Sequence, residues 1–352
     1  MTKRSGRASV ALATLTALSL ILAGCAGAAD EPADDAAPAP SGDAEWQQVV
    51  EDAKQEGHVT WYSVAPAEVR DGLKAAFEEK YPEITLEVIA MGTADMNAAL
   101  EAEHDTGAEG ADVVTSVDYG WILDKSEQGW ISDLTGPSSE VEEWSEFIID
   151  GQIVNSGLGL MAIAWNTTLY SGELTGYEDL LDPALGNGAI GTARPEPAIH
   201  ADHWAFVEEN HDPDYLEDLA AQEPALYPSA FAVQEALAAG EIAVGAFVSA
   251  ADMVGLQEKG APIEFVVPDP ALAIGNMFFI PSSGKNQNAA QLFMDFFLSE
   301  EGQSVAAANA FSPLSEVETL AGSNEVLLTD VDRVLDEAWF NEYLENWKRI
   351  YE

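Results

Sequence analysis

Short apolar runs alternate with amphipathic stretches along most of the chain from residue 46 onward. Residues 58–64 and 84–90 have the apolar, β-branched composition of strands. Between them, Val69, Leu73 and Phe77 recur at helical spacing, and this helix, over residues 66–81, ends where Pro82 prevents its continuation. The alternation of strands and helices predicts an α/β fold with largely parallel sheets.

The same criteria extend the pattern toward the C-terminus. Further strands are predicted at 111–116, 161–165, 189–193, 242–248, 263–267 and 274–280, and further helices at 45–56, 93–103, 202–209, 230–239 and 289–298. Four aromatic residues follow at intervals of four, namely Trp339, Tyr343, Trp347 and Tyr351. Such a stripe on a helix is more often packed into a core than used to dock a partner.

The first 25 residues have the features of an export signal. Three basic residues precede an uncharged, apolar stretch over residues 8–24, and Cys25 follows directly as the single cysteine of the chain. This arrangement resembles a bacterial lipobox, which implies cleavage before Cys25 and acylation of its thiol. Residues 26–45 are almost entirely Ala, Pro, Asp, Glu, Gly and Ser, a composition that predicts a disordered tether. We therefore expect an extracytoplasmic protein that is anchored to the cell membrane by lipid.

The charge of the chain is strongly negative, with 62 acidic against 14 basic residues and a net charge of −48. Three of the basic residues lie in the signal, so residues 25–352 carry 11 basic and 62 acidic groups, a net of −51. This charge argues against nucleic acid as a partner, because phosphates would be repelled. It is typical of a well-solvated or salt-adapted surface, and capture of a cation is the functional alternative.

Several segments, in order and spacing, resemble the extracellular solute-binding proteins of ABC importers, close to the ferric-iron, thiamine, polyamine and phosphonate binders. They cover most of the chain after residue 46. The segments are HVTWYS at 58–63, FEEKYP at 77–82, GADVVTS at 110–116, LMAIAWNT at 160–167, YEDLLDP at 177–183, AIGTA at 189–193, GEIAVG at 240–245, KGAP at 259–262 and the helix over 289–302.

The resemblance implies a two-lobed periplasmic-binding-protein-like fold of type II, in which two hinge strands join the lobes and the ligand lies between them. We assign residues 1–24 to the signal, 25–45 to the tether, 46–158 and 276–352 to lobe 1, and 159–275 to lobe 2. The expected partners are a small-molecule solute and an ABC permease in the membrane, and the protein is expected to be a monomer without a cofactor.

The resemblance also indicates where ligand residues should lie, and the ferric-iron binders differ there. They use paired tyrosines with a histidine and a glutamate, whereas the corresponding segment, residues 248–253, contains no tyrosine. The loop at 64–66 contains no histidine. Direct binding of ferric iron by the family's usual ligands is therefore not expected.

Arg194 is the clearest candidate for a ligand contact, since it is the one lysine or arginine between Lys125 and Lys259. In the family, the loop that contains it faces the cleft and precedes a helix. A guanidinium binds a carboxylate or phosphonate through two parallel hydrogen bonds, and a helix N-terminus adds N–H donors. The structural alternative is an ion pair with a surface carboxylate such as Glu196.

Loop position supplies further candidate ligand contacts. These are Ser63, Ser116, Tyr119, Trp165, Ser249, Asp252 and Asn276. Together with Arg194 they predict a receptor for a small organic anion, either a carboxylate or a phosphonate. Two alternatives remain open: a ferric complex whose metal is held by a chelating anion, and a cationic nutrient such as a polyamine or thiamine held by Asp252, Asp118 and aromatic rings.

A metal site and an enzyme are the remaining functional alternatives. His200, Asp202 and His203 share the start of a predicted helix and include zinc-type ligands, but Asp202 is better suited to capping the helix, and no metal site is expected. The sequence contains no Gly-x-Ser-x-Gly, Walker or His-Glu-x-x-His motif. We therefore expect no catalytic activity, and a secreted hydrolase is the distant alternative.

Overall fold

The computed structural model describes residues 42–352. The signal, Cys25 and nearly all of the tether assigned from the sequence lie outside these residues. The first helix, α1, begins at Gly42 and so includes the last four residues assigned to the tether. None of the helices in this part of the chain combines the length and the apolar character that crossing a membrane requires.

The described residues form twelve α-helices and eleven strands. The helices are α1 (Gly42–Glu56), α2 (Ala67–Lys80), α3 (Thr93–Thr106), α4 (Tyr119–Glu127), α5 (Ala198–Asn210), α6 (Tyr215–Ala220), α7 (Ala230–Ala239), α8 (Ala250–Glu258), α9 (Gln287–Leu298), α10 (Glu300–Ala306), α11 (Val331–Leu335) and α12 (Glu337–Tyr351). The strands are β1 (His58–Ser63), β2 (Thr85–Ala90), β3 (Val113–Ser116), β4 (Ile148–Ile149), β5 (Ile153–Asn166), β6 (Ile190–Ala193), β7 (Ala225–Tyr227), β8 (Val244–Ser249), β9 (Ile263–Val266), β10 (Ala271–Phe279) and β11 (Val326–Leu328).

The strands hydrogen-bond in the order β2-β1-β3-β10-β5-β8-β6-β7, with β11 beside β10 and with β4 and β9 beside β5. Pairing is parallel within β2-β1-β3 and within β8-β6-β7, whereas β5 and β10 run antiparallel to their neighbours in this order. Each parallel strand is followed by a helix, as expected for crossover connections. The predicted α/β architecture is confirmed.

Strand β5 is the longest strand, and it belongs to both halves of this order. Its first half pairs with β10 and its second half pairs with β8 and β9. The sequence predicted only residues 161–165, because Asn155, Ser156, Gly157 and Gly159 interrupt the apolar run. All of these residues except Gly159 are buried, so the polar residues lie in the interior.

The boundaries assigned between the lobes fall where β5 and β10 pair. Residue 159 pairs with residue 274, and residue 156 pairs with residue 276. The register shifts between Ile274 and Asn276, which marks an irregularity at Gly275. The boundaries themselves stay a prediction; helix α12, which we assigned to lobe 1, contacts α5 and α6 from the range assigned to lobe 2.

The aromatic stripe of α12 faces the body of the protein, as the sequence predicted. Trp347 is buried and stacks on Tyr351, and Trp339 stacks on Tyr343. The Tyr343 hydroxyl donates a hydrogen bond to Glu208 of α5 at 2.8 Å. Helix α12 therefore packs against α5 and α6, and its aromatic face supplies a hydrogen bond to α5.

Candidate functional site

Strand direction brings the carboxyl ends of two groups of strands face to face. Strands β1 and β3 are parallel to each other, and β5 runs in the same direction because both β3 and β5 are antiparallel to β10. Strand β8 is antiparallel to β5, and β6 is parallel to β8. The ends of β1 and β3 therefore point toward the ends of β6 and β8, an arrangement in which α/β proteins bind ligands.

The register gives the separation of the two groups of strand ends. Ser116 at the end of β3 pairs with Met277, which pairs with Asn155 of β5. Ser249 at the end of β8 pairs with Met161 of β5. At about 3.3 Å per residue, the six residues from 155 to 161 span about 20 Å. We call this space the crevice; its floor is β5 and the facing part of β10.

Four helices begin at the crevice, one after each of β1, β3, β6 and β8. The N-terminus of α4 is capped by Asp118, which accepts from Trp121 N–H at 3.2 Å, and that of α8 by Ser249, which accepts from Asp252 N–H at 3.4 Å. The N-cap positions of α2 and α5 are Pro66 and Pro197, neither of which makes a side-chain cap. In α5 the His200 N–H already donates to the Pro197 carbonyl at 2.8 Å, so the N–H groups available to an anion are those of residues 67–69 in α2 and 198–199 in α5.

The candidates at the ends of β1 and β3 are buried. The Ser63 hydroxyl accepts a hydrogen bond from Ala65 N–H at 3.1 Å, and the Ser116 hydroxyl accepts from Asp118 N–H at 3.4 Å. The Tyr119 hydroxyl donates to the Gly275 carbonyl at 2.6 Å, and burial raises the pKa of this phenol. These side chains shape the loops of the crevice and link one wall to the floor.

Three more candidates lie at the opposite wall and on the floor. Ser249 is half-buried and Asp252 is exposed at the start of α8. Asn276 is half-buried in β10, where its carbonyl accepts from the Ser156 hydroxyl at 2.8 Å. Of these three, Asp252 has the most exposed side chain.

Trp165 is not brought to the crevice. It lies in β5 four residues beyond Met161, which places it about 13 Å further along the strand at about 3.3 Å per residue. There it lines a separate open pocket of about 550 Å³ together with Tyr170, Glu173 and Phe265. The sequence identified the segment correctly as strand, but the register puts this end of it on the far side of the second group of strands.

Arg194 directly follows β6, and its side chain is turned toward α12. Its Nη1 donates to Glu352 Oε1 at 2.7 Å, and its guanidinium lies 5.6 Å from the centre of the Trp347 ring. The Arg194 side chain nevertheless remains 39% exposed. Glu196, the ion-pair partner that the sequence suggested for Arg194, instead has its Oε1 4.0 Å from Lys348 Nζ. Arg194 therefore follows a strand end that faces the crevice, but its guanidinium packs against α12 and already binds a carboxylate.

Asp202 is a buried acid, and the role predicted for it from the sequence is wrong. We expected it to cap a helix, but α5 begins four residues earlier, so Asp202 lies inside the helix. Its Oδ1 lies 3.4 Å from Arg333 Nη1, and its Oδ2 accepts from Asp330 N–H at 3.3 Å. Desolvation raises the pKa of Asp202 to about 7, although Arg333 opposes this shift. Neither Arg333 nor Asp330 was recognised from the sequence, because they lie far from residue 202 along the chain.

The histidines of α5 pack against aromatic rings. His203 is buried with its Nε2 3.4 Å from the Tyr177 hydroxyl, and desolvation lowers its pKa to about 3. His200 packs edge-on against Phe247. Within residues 42–352, no group of three or more His, Cys, Asp or Glu side chains could hold a metal ion.

Residues 37–304 match the sequence profile of the bacterial extracellular solute-binding proteins. The chain belongs to this family. No curated protein sequence gives a significant match. The solute-binding proteins are transport receptors, and the family indicates an extracytoplasmic location for this chain.

Solved structures agree with the family. The substrate-binding protein of an ABC transporter from Agrobacterium tumefaciens is similar with a TM-score of 0.65 and 15% identity, over 85% of this chain and 96% of that one. Iron-bound HitA from Pseudomonas aeruginosa is similar with a TM-score of 0.58 and 17% identity, over 83% of this chain and 99% of HitA. AfuA from Actinobacillus pleuropneumoniae, with fructose-6-phosphate bound, is similar with a TM-score of 0.58 and 21% identity, over 84% of this chain and 99% of AfuA. The solute-binding protein therefore has the two-lobed periplasmic-binding-protein-like fold that the sequence predicted.

Proposed function

We propose that this solute-binding protein captures a small organic anion, a carboxylate or a phosphonate, in the crevice and delivers it to an ABC permease. The observation that carries the proposal is the position of Arg194, which directly follows β6 and lies four residues before the start of α5, a helix whose N-terminus has no side-chain cap. A guanidinium and the free N–H groups of a helix N-terminus both favour an anion. Within residues 126–258 no other lysine or arginine competes for an anion.

The contact between Arg194 and Glu352 supports this choice of ligand chemistry. A carboxylate oxygen already accepts from Nη1 at 2.7 Å, while a guanidinium has five N–H donors. A ligand carboxylate or phosphonate would either share the guanidinium with Glu352 or displace it. Because both side chains are partly exposed, the existing ion pair is expected to be weak enough to exchange.

The proposal is tested by titration calorimetry with the carboxylate or phosphonate that binds the wild-type protein most tightly. Arg194→Ala should weaken binding at least tenfold, which corresponds to about 1.4 kcal/mol. Glu352→Gln should strengthen binding several-fold, because it removes the competing carboxylate. The matched control is Lys348→Ala, which removes a positive charge from the neighbouring pair with Glu196 and should change affinity less than twofold.

An unchanged affinity in Arg194→Ala would contradict the role of this residue in binding. The direction of the change in affinity distinguishes an anionic from a cationic ligand, since Arg194→Ala should leave the binding of a cation unchanged or improve it. Asp118 and Asp252 are the acids that would hold such a cation. Both Asp118 oxygens already accept, from Trp121 N–H and from the Asn97 amide, so Asp252 is the freer of the two.

A ferric complex with a chelating anion is the second candidate. Among the similar structures is a Trichodesmium protein in complex with iron and citrate ligands, with a TM-score of 0.60 and 16% identity. Because residues 248–253 offer no tyrosine, the chelator would supply the metal ligands here. Titration with citrate and with ferric citrate separates the free anion from the ferric complex as ligand. Only the ferric-complex candidate requires ferric citrate to bind more tightly than citrate.

We also propose that Cys25 is acylated and holds the protein at the outer face of the cell membrane. The support is the lipobox-like sequence that precedes it. Cys25→Ala should move the protein from the membrane fraction to the soluble fraction. Mass spectrometry of the wild-type N-terminus should detect the lipid, and an unmodified thiol would contradict the anchor.

A further inference from the structure

Helix α11 lies between the two walls of the crevice. It follows β11, which pairs with β10 at residues 271–273, and Thr329 N–H donates to the Ala273 carbonyl at 3.2 Å. From there α11 contacts both α4 and α5. Helix α4 follows β3 on one wall, and α5 follows β6 on the other. Besides the hinge strands, α11 is thus a further connection between the walls.

The contact of α11 with α5 is ionic and partly buried. Arg333 Nη2 donates to Glu209 Oε2 at 2.8 Å, and Arg333 Nη1 lies 3.4 Å from the buried Asp202. Asp330 N–H donates to the same Asp202 carboxylate. Separating α11 from α5 would leave the buried Asp202 carboxyl without the Arg333 and Asp330 N–H partners, so this contact resists separation.

The contact of α11 with α4 is apolar and small. Val331 and Val334 are half-buried against the cluster that contains Tyr119 and Ile122. Leu335 lies over α4 so closely that a β-carbon on Gly120 would come within 3.3 Å of its Cδ2 atom. Leu335 is itself 40% exposed. No hydrogen bond or ion pair between α4 and α11 accompanies these contacts in the described part of the chain.

We propose that α11 is a latch for the crevice: it stays attached to α5, and its apolar contact with α4 holds the two walls together before any ligand binds. Opening then separates α11 from α4 and leaves α11 on α5. This inference rests on the proposed receptor function, because closure of the walls around a solute is what the latch would favour. The strength of the contact between α11 and α4 then determines the fraction of unliganded receptor that is open.

Double electron–electron resonance without ligand tests the latch. Spin labels go on Glu79→Cys of α2 and Glu258→Cys of α8, which are both exposed, in the full chain with Cys25→Ser so that no other thiol is labelled. Val334→Asp should shift a substantial fraction of the distance distribution to longer distances. Leu335→Ala should do so more weakly, and because Leu335 is 40% exposed this variant should keep the wild-type fold. The matched control is Asp332→Asn, an exposed α11 residue, which should leave the distribution unchanged.

A distribution that is unchanged in both Val334→Asp and Leu335→Ala, with circular dichroism equal to that of the parent, would overturn the latch. So would a shift of equal size in Asp332→Asn. Since no ligand is added, the result does not depend on the proposed anion. Failure of Arg194→Ala to weaken anion binding would leave this measurement unaffected, so the two proposals fail separately.

Discussion

Asp202 shows what a single residue contributes that the sequence does not reveal. Its side chain is almost fully buried, and its carboxyl faces Arg333, Asp330, Glu209 and the phenol of Tyr119. Desolvation outweighs the attraction of Arg333 and raises the pKa to about 7. An acid whose folded pKa is above its unfolded value of about 3.9 binds a proton more tightly when folded. Its contribution to stability is therefore lost as the pH rises from about 4 to 7.

Asp202→Asn should remove this pH dependence, because asparagine resembles the protonated acid. Relative to wild type, the free energy of unfolding of the variant should increase between pH 4 and pH 7 and level off above pH 7. Urea unfolding at four pH values measures this difference. A constant difference across the range would show that Asp202 keeps an ordinary pKa.

The site could be predicted from the sequence residue by residue only in part. Strand ends and loops indicated Ser63, Ser116, Tyr119, Arg194 and Ser249 as neighbours of one crevice, because local pattern determines where strands end. Their contacts could not be predicted, since the partners are distant in the sequence. Glu352 is 158 residues from Arg194, and Gly275 is 156 residues from Tyr119.

At the scale of elements, glycines allow β5 and β10 to approach closely where they cross between the walls. A β-carbon on Gly159 would lie 2.5 Å from the Ile274 carbonyl oxygen, and one on Gly275 would lie 1.7 Å from Asn155 Oδ1. The atom that a β-carbon on Gly159 would meet belongs to the backbone, whereas the atom that one on Gly275 would meet belongs to a side chain. The two positions should therefore respond differently to the same substitution.

Gly159→Ala and Gly275→Ala should both lower the free energy of unfolding, by about 1–3 kcal/mol from overpacking. Asn155→Ala should partly rescue Gly275→Ala but not Gly159→Ala, because it removes only the side-chain obstacle. The control is Gly255→Ala within α8, where a β-carbon meets nothing within 4 Å. This change should stabilise the protein by about 0.5–1 kcal/mol, since alanine favours helix. Urea unfolding of the single and double variants measures the coupling, and an equal rescue at both glycines would contradict this assignment.

The elements themselves were predictable where their patterns are strong. The helices with clear apolar spacing and the short apolar strands agree with the sequence, and the order of strands and helices sufficed for the α/β class. The first half of β5 was missed because its polar and glycine residues are stabilised by neighbouring strands rather than by local preference. Helix α11, only five residues long, was missed because its contacts with α4 and α5 hold it in place.

For the whole molecule, charge is the dominant property. Seven lysines and arginines of the described residues form ion pairs with carboxylates, whereas the chain has 62 acidic residues in total. Salt weakens both the few attractive pairs and the many repulsions among unpaired carboxylates. The repulsions outnumber the pairs, so screening should on balance favour the folded state.

The melting temperature at pH 7 should therefore rise when NaCl increases from 0.01 M to 1 M, as the Debye length falls from about 30 Å to about 3 Å. Most of the rise should occur below about 0.3 M, where screening changes most. Potassium chloride should act equally, because the effect is general screening. A melting temperature that falls with salt would mean that the ion pairs outweigh the repulsions.

A thermal-shift screen tests most directly whether the solute-binding protein receives a small organic anion beside Arg194. The purified protein is heated with carboxylates, phosphonates, amines and iron chelates in turn. A carboxylate or phosphonate at a hundred times its dissociation constant should stabilise the native state by about 2.7 kcal/mol, a rise of about 4 °C in the melting temperature. With the at least tenfold weaker binding expected of Arg194→Ala, the rise at the same concentration should fall to about 2 °C or less. Stabilisation by amines alone, or an equal rise in Arg194→Ala, would contradict the account.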